Sequence, residues 1–217
     1  MENVKVLLRN LKVLKGSLDD FNTNDVPETP HELFLEWLHI AIRNEVPEPH
    51  AMTISTVDSE GNPDARVLIL KNIDENGWYF ATSAESSKGK QISEVAKVAL
   101  TFYWPALGKQ VRIRGTAIDM GRERSATDFL ERSEVARAGA LIGKQSNSLL
   151  NREILDQALI EKLEDVKETP DLIYSQWKLY CVQANQVEFW QGNVDRKHIR
   201  LKYRLHENQW VPELLWP

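Results

Sequence analysis

Two short stretches near the C-terminus, Val187–Gln191 (VEFWQ) and Arg196–Arg200 (RKHIR), decide how this chain is interpreted. The first alternates apolar and polar residues, as expected of a half-buried strand. In the second, Arg196, His198 and Arg200 are two residues apart, and side chains with that spacing in a strand point to one face. The pattern therefore predicts three nitrogen-rich side chains that project together next to a tryptophan. Such a surface suits a flat, anionic, heteroaromatic ligand, although an ordinary strand with a solvated basic face has the same pattern.

The composition limits the class of protein. The 217 residues, 42% of them apolar, can bury a core and are enough for one large domain or two small ones. A net charge of −5 argues against nucleic acid as the main partner, because phosphate backbones attract basic surfaces. One cysteine, Cys181, cannot form an internal disulfide. Because we find no leader peptide and no apolar run of about 20 residues, we expect a cytoplasmic protein that does not span a membrane. No cluster of metal-ligating residues is found, so no metal is expected.

Hydrophobic periodicity and turn residues predict a mainly β protein with several helices. Thr29 and Glu32 have capping-box spacing and Pro30 suits the first helical turn, so a helix is expected to begin there. We expect residues 1–28 to form a short helix and a mobile arm, and residues 29–217 to form a single domain. The predicted strands are 51–57, 66–73, 78–82, 98–104, 110–120, 176–191, 200–205 and 209–215. The further predicted helices are 87–95, 122–132, 134–142 and 151–166.

The order of these elements argues against a dinucleotide-binding sheet. Strand follows strand without regular β-α-β alternation, and the glycine-rich phosphate loops are absent. A nucleotide-type cofactor would therefore have to be held by side chains on an antiparallel barrel. Closing such a barrel also removes the exposed edges of its strands.

Two regions have the residues to bind a phosphate group. Arg66 and Lys71 flank an apolar strand, and their odd spacing would place them on opposite faces, so they are expected to serve different ligands or different ends of one site. In residues 82–88 (TSAESSK), hydroxyl groups, a lysine and backbone N–H groups gather where a strand ends and a helix begins. That arrangement suits an anion, although the serines could also be simple helix caps.

The C-terminal block resembles the signature of the pyridoxamine 5′-phosphate oxidase family. That pattern is a Glu-aromatic-Trp strand followed by Arg-x-His-x-Arg, and the chain matches it at residues 188–190 and 196–200. It departs at Lys197, where an aliphatic residue is usual, and at Ile199, where an acidic or amide residue is usual. The resemblance covers residues 9–217. It implies an antiparallel split β-barrel that binds FMN, with helices packed around it, in a homodimer whose sites lie at the interface.

The resemblance also implies roles for individual residues. Positions that match family contacts to FMN are Arg66, Lys71, Thr82, Ser87, Lys88, Gln110, Gln145, Ser146, Trp190 and Arg200. Ser87 stands where arginine is common, and the loop with Gln145 and Ser146 is expected to reach the flavin of the partner subunit. Positions that match substrate contacts are Arg9, Lys71, Arg132, Arg196 and His198. Arg196 and His198 are also the candidate catalytic residues.

Three substrate positions depart from the family pattern. Asp128 and Ala136 stand where a tyrosine and a serine hold the substrate phosphate, and Lys12 falls on an N-terminal tyrosine. Asp128 would repel a dianionic phosphate by about 1 kcal/mol or more in a partly screened site. Ala136 removes a hydroxyl donor, whereas Lys12 would offset part of the repulsion.

The resemblance implies an FMN-dependent oxidase. Hydride would pass from a substrate carbon next to an amine or alcohol to flavin N5, with O2 as acceptor, giving pyridoxal 5′-phosphate and hydrogen peroxide. One alternative is a relative that oxidises another flat anionic substrate, such as a phenazine precursor. Another is a flavin-, heme- or deazaflavin-binding protein without this turnover, and a third is a dimeric barrel that binds no cofactor.

Overall fold

The structure, a computed structural model, describes residues 3–11, 14 and 21–217. The chain divides into two compact units. Unit 1 consists of the described residues up to Ala51 together with Thr101–Ile113 and Asn185–Pro217, and unit 2 consists of Met52–Leu100 and Arg114–Ala184. The boundary between an arm, residues 1–28, and one domain, residues 29–217, stays a prediction.

The helices and strands follow the predicted order. The α-helices are α1 Val4–Arg9, α2 Pro30–Arg43, α3 Ser87–Glu94, α4 Gly121–Leu130, α5 Glu134–Leu141 and α6 Arg152–Glu168. The strands are β1 Ala51–Val57, β2 Pro63–Ile69, β3 Asn72–Asp74, β4 Gly77–Ser83, β5 Lys97–Trp104, β6 Lys109–Asp119, β7 Trp177–Gln191, β8 Ile199–His206 and β9 Gln209–Leu214. Most of these bounds agree closely with the prediction, because alternation and turn residues determine them locally.

Seven strands are hydrogen-bonded in the order β2-β1-β5-β6-β7-β4-β3. Of these, β5, β6 and β7 each include residues of both units. Strand β4 is antiparallel to β7, with Trp78 opposite Val182 and Ser83 opposite Trp177. Strand β7 continues into unit 1, where it pairs with β8, and β8 pairs with β9, again antiparallel. The C-terminal signature therefore forms a three-stranded antiparallel ladder.

The predicted strand 66–73 is wrong as a single element. It is divided into β2 and β3, and Lys71 lies between them, where its backbone N–H donates to Tyr79 O at 2.8 Å. The odd-spacing argument for Arg66 and Lys71 therefore does not apply, because the two residues do not share one regular strand. The nearby hairpin turns at Glu75 and Asn76, because Asp74 pairs with Gly77. A Cβ on Gly77 would lie 2.1 Å from Val182 O, so the glycine is needed for the close approach of two strands.

The core of unit 1 forms around helix α2. The predicted capping box is confirmed, since the Thr29 side chain accepts from Glu32 N–H and Glu32 accepts from Thr29 N–H at 3.2 Å. The buried Trp37 ring lies edge-on to Phe189 of β7, with centroids 5.2 Å apart. Phe21 also packs edge-on against Trp37 at 5.0 Å and is buried, so the predicted mobile arm is packed against α2 at this residue.

Candidate active site

The end of β4 and the start of α3 form a buried polar cluster in unit 2. The Lys88 side chain is 5% exposed, and its ammonium donates to Thr82 Oγ1 at 3.2 Å and to Ser86 Oγ at 3.4 Å. No carboxylate of the described residues forms an ion pair with Lys88. Burial, together with the nearby charge of Arg66, lowers the pKa of Lys88. A buried ammonium whose close partners are hydroxyl groups would be stabilised by an anion.

The local sequence explains how this cluster forms. Ser86 is the N-cap of α3 and its hydroxyl accepts from Gly89 N–H at 3.2 Å, so the capping interpretation is right for Ser86. Gly89 lets the first turn of α3 approach β4, because a Cβ there would lie 2.3 Å from Ser83 O. Ser87 is the first helical residue and is exposed, and its N–H donates to Ser146 Oγ at 3.3 Å. The loop with Ser146 therefore meets helix α3 of its own chain.

Arg66 belongs to a network beside this cluster. Its guanidinium donates to Thr56 Oγ1 at 2.5 Å, to Gln91 Oε1 at 3.3 Å and to the half-exposed Asp64. Thr56 also donates to Gln91 at 2.6 Å. Gln91 lies in α3, so this network connects Arg66 of β2 to the helix that carries Lys88. An anion at the cluster would meet an arginine whose position is already fixed.

Unit 2 also contains a cavity of about 690 Å³. Its polar lining includes Lys71, Thr82, Arg132 and Gln145, four of the residues that the sequence predicted for the site. The apolar lining includes Val67, Ile69, Leu149, Ile154 and Leu155. This volume lies in the range typical of small-molecule sites, which combine apolar walls with a few polar groups.

Two cations that line the cavity, Lys71 and Arg132, lie near the buried carboxylate of Asp128. Lys71 Nζ lies 3.4 Å from Asp128 Oδ1, and Trp177 Nε1 donates to Asp128 Oδ2 at 2.7 Å. The Arg132 guanidinium lies over the Trp177 ring, 4.1 Å from its centroid, and Nη2 donates to Ala136 O at 3.1 Å. Arg132 Nε is buried without a hydrogen-bond partner. Burial lowers the pKa of Arg132, and the charge of Asp128 opposes that shift.

The remaining candidates lie in unit 1, and the structure corrects one of them. Arg196 is not in a strand, because β8 begins only at Ile199. It is exposed, has a left-handed backbone with φ of 65°, and its N–H closes a turn on Asn193 O at 3.1 Å. The prediction that Arg196, His198 and Arg200 alternate along one strand is therefore wrong at Arg196. The backbone forms a tight turn at this residue, so the side chains do not alternate as they would in a strand.

His198 and Arg200 do lie beside the signature tryptophan. The His198 ring is 5.0 Å from the Trp190 ring, and its Nδ1 accepts from Asn193 N–H at 3.0 Å. Arg200 pairs in register with Trp190 across β7 and β8. Of the other candidates, Gln110 is half-buried in β6, Arg9 is exposed at the end of α1, and Lys12 falls outside the described residues.

Glu188 is a residue to which the sequence assigned no role. Its carboxylate is 3% exposed and pairs with Arg112 at 2.5 Å and with Arg200 at 2.9 Å. It therefore fixes Arg200, which also donates to Trp216 O at 3.0 Å. A glutamate between the apolar residues Val187 and Phe189 was the available signal, because a buried carboxylate requires a partner.

Replacing Glu188 by glutamine is expected to destabilise the protein by about 2 kcal/mol, because it leaves two arginines without their shared buried anion. The value is below that of a fully buried pair, since both arginines are partly exposed. Urea unfolding of the variant measures the loss. Asp165→Asn, at an ion pair of α6 whose two side chains are 38% and 44% exposed, is the control and should cost well under 1 kcal/mol. Equal losses for the two variants would contradict the assignment.

The described residues contain neither a metal centre nor a membrane-spanning helix. No group of three or more His, Cys, Asp or Glu side chains there is arranged to hold a metal ion. None of the helices in that part of the chain has the length and apolar character to cross a membrane.

Comparisons with known proteins identify the family. Residues 38–166 match the family model described as pyridoxamine 5′-phosphate oxidase, and residues 177–217 match that of the pyridoxine 5′-phosphate oxidase C-terminal dimerisation region. A pyridoxine/pyridoxamine 5′-phosphate oxidase of Pseudomonas fluorescens is 36% identical over 92% of this chain and 94% of its own length. The enzyme of that name from Haemophilus influenzae is 38% identical over 89% of this chain and 92% of its own.

Two solved structures resemble the chain. PhzG from Burkholderia lata, solved in complex with tetrahydrophenazine-1-carboxylic acid, has a TM-score of 0.85 and 29% identity, over 93% of this chain and 100% of its own. A pyridoxamine 5′-phosphate oxidase-related, FMN-binding protein from Nostoc punctiforme has a TM-score of 0.68 and 19% identity, over 87% of this chain and 98% of its own. At 19% identity, the similarity to the Nostoc punctiforme protein shows only that the two proteins share a fold.

Proposed function

Because the chain belongs to the pyridoxamine 5′-phosphate oxidase family, we propose that it is an oxidase that uses FMN and O2 to oxidise a flat, anionic, nitrogen-containing ring. The expected fold class, an antiparallel split β-barrel of the FMN-binding type with helices packed around it, is confirmed. The family relatives are named as oxidases, and the chain is an FMN-dependent oxidoreductase of this family. The observation that carries the proposal is the buried Lys88 ammonium, whose near partners are the hydroxyls of Thr82 and Ser86.

The residues present fit FMN. Lys88, Thr82 and Arg66 would hold its phosphate, since a buried ammonium and a neighbouring guanidinium favour a dianion. The helix N-terminus at Ser87 would add backbone donors. The other residues proposed to contact FMN are Lys71, Gln110, Gln145, Ser146, Trp190 and Arg200. Bound FMN would supply the hydride acceptor for substrate oxidation, with O2 as the final acceptor of the electrons and hydrogen peroxide as the second product.

The chain's own residues would bind and orient the substrate. Lys71 and Arg132 would hold its anionic group at the cavity wall, where Arg132 is fixed by stacking on Trp177. Arg196 would cover the ring as a planar cation, and Arg9 would contribute from the N-terminal region. His198 would bond a ring substituent or assist its proton, because imidazole titrates near neutral pH.

The proposed assembly follows from the match of the C-terminal residues to a dimerisation region. The dimerisation region at residues 177–217 supports a homodimer, and we propose that its active sites lie at the interface.

Cys181 is buried and free, which suits a reducing compartment such as the cytoplasm.

Aerobic turnover tests the proposed function. FMN-loaded protein should convert pyridoxamine 5′-phosphate or pyridoxine 5′-phosphate to pyridoxal 5′-phosphate and release one hydrogen peroxide per product formed. A protein that holds FMN but releases no peroxide with any member of a panel of anionic rings would contradict an oxidase and favour a flavin-binding protein without turnover.

A second candidate is a family member that oxidises a carboxylated polycyclic ring. Asp128 favours it, because a buried carboxylate next to Lys71 opposes a doubly charged phosphate. The likeness to PhzG, whose structure contains tetrahydrophenazine-1-carboxylic acid, supports the same candidate. Turnover of dihydrophenazine carboxylates, with none of either B6 phosphate, would favour it.

A further inference from the structure

Arg66 is the cation of the proposed phosphate site that already has a negative partner. Its side chain is 20% exposed and forms an ion pair with Asp64, whose side chain is 50% exposed. The other oxygen of this carboxylate, Oδ1, accepts from Ala65 N–H at 2.8 Å. Lys88, the second cation of the site, has no ion pair among the described residues. The carboxylate of Asp64 therefore pairs with the arginine alone.

The hydrogen bonds of Arg66 indicate which of its donors Asp64 occupies. A guanidinium can hold an anion with two N–H groups in two ways, end-on through Nη1 and Nη2 or side-on through Nε and Nη2. Thr56 accepts from Nη1 and Gln91 from Nη2, and these two side chains are bonded to each other at 2.6 Å. They therefore occupy the end-on pair. Asp64 also accepts from Nη2, which leaves it the side-on pair.

A phosphate held by two N–H groups of Arg66 would have to displace one of these partners, because both pairs include Nη2. Thr56 and Gln91 are hard to displace, since Thr56 is fully buried and each of the two also holds the other. Asp64 is half exposed, so it can turn into water, and its charge is the one that a phosphate repels. Asp64 and a phosphate therefore exclude each other at the side-on pair.

The ion pair also offsets a repulsion between cations in the FMN-free protein. Burial and the nearby charge of Arg66 lower the pKa of Lys88, whereas the charge of Asp64 acts in the opposite direction. Two neighbouring cations without an anion destabilise a folded protein, and a carboxylate that pairs with one of them reduces the cost. In FMN-loaded protein, the phosphate would supply that negative charge instead.

We propose that Asp64 competes with the phosphate of FMN: it holds Arg66 in the FMN-free protein and turns into solvent when FMN binds. The inference rests on the proposed function, since it concerns the cofactor site of the same protein. Asp64 would stabilise the FMN-free protein and weaken FMN binding, because each FMN that binds must break the ion pair. Loss of a purely structural residue would weaken FMN binding instead.

Titration of the FMN-free protein with FMN and with riboflavin tests the inference. Asp64→Asn should bind FMN about fivefold more tightly than wild type, in the range expected when a half-exposed ion pair no longer has to be broken. Its affinity for riboflavin should not change, because riboflavin has no phosphate. The FMN-free variant should also unfold at a temperature about 2 °C below that of wild type.

Two control variants show whether the carboxylate at this position is responsible. Asp64→Glu keeps the carboxylate, so its FMN affinity should stay within about twofold of wild type. Glu75→Gln removes an exposed acid in the turn between β3 and β4, and it should change neither the FMN affinity nor the unfolding temperature.

An FMN affinity of Asp64→Asn that equals or falls below that of wild type would overturn the inference, and so would an equal gain for riboflavin. Either result, with wild type still preferring FMN to riboflavin, would leave the proposed phosphate site standing. A wild type that binds the two compounds equally would overturn both. Absence of oxidation with every substrate, together with the expected shift for Asp64→Asn, would refute the proposed oxidase and leave the role of Asp64 standing.

Discussion

Replacement of Lys88 by methionine is expected to weaken FMN binding about a hundredfold, because it removes a charge-assisted bond worth roughly 2–3 kcal/mol. The same change should leave the FMN-free protein as stable as wild type, or more stable by about 1 kcal/mol. The reason is that Lys88 is buried with hydroxyl groups as its close partners, so its charge opposes folding until an anion binds. A residue that lowers the stability of the FMN-free protein but tightens FMN binding serves to bind the ligand, whereas a structural residue would stabilise the FMN-free protein.

Fluorescence titration with FMN and thermal unfolding of the FMN-free protein measure the two effects separately. Lys90→Met is the matched control, since Lys90 lies on the same helix and is exposed. It should change neither quantity. If Lys88→Met binds FMN like wild type, or if it destabilises the empty protein by several kcal/mol, Lys88 is a structural residue and the proposed phosphate site is wrong.

Replacement of Arg196 by alanine is expected to slow the reduction of bound FMN by substrate at least about a hundredfold, since orientation of the reacting ring by a planar cation would be lost. FMN binding should not change. Arg196 is exposed in a turn, and its side chain forms no ion pair with the described residues, so its removal should not disturb the fold. Rapid mixing with substrate without oxygen measures the rate.

Two further variants separate function from structure at this turn. Lys197→Ala changes the exposed neighbour and should leave the reduction rate within about twofold of wild type. Arg196→Gly should be as slow as Arg196→Ala but more stable by about 1 kcal/mol, because glycine adopts the left-handed φ of 65° without strain. Loss of FMN from Arg196→Ala would show that this arginine holds the cofactor.

Features set by neighbouring residues could be predicted from the sequence. The capping box at Thr29 and Glu32 depends on residues three apart, and the structure confirms it. Strand β1 has the predicted bounds, Ala51–Val57, because its alternation is regular and its ends are marked by turn residues.

Features that depend on distant parts of the chain could not be predicted in this way. Lys71, Asp128 and Trp177 meet although they are far apart in the chain, and no local pattern indicates that contact. Phe21 is buried because Trp37 of α2 covers it, which the polar residues around Phe21 do not reveal.

For the candidate site, the local pattern of residues 82–88 and the family resemblance both selected Thr82 and Lys88 as residues of one site, and the structure places them within hydrogen-bonding distance. Neither predicted the turn at Arg196 or the two arginine partners of Glu188. The roles of these residues in binding FMN and substrate stay predictions until ligands are measured.

Calorimetric titration of the FMN-free protein with FMN and with riboflavin tests the central claim most directly. The two compounds share the ring system and differ in the phosphate that Arg66, Thr82 and Lys88 are proposed to bind. The account predicts one FMN per chain, bound at least about a hundredfold more tightly than riboflavin. Equal affinities for the two compounds, or no binding of FMN, would contradict it.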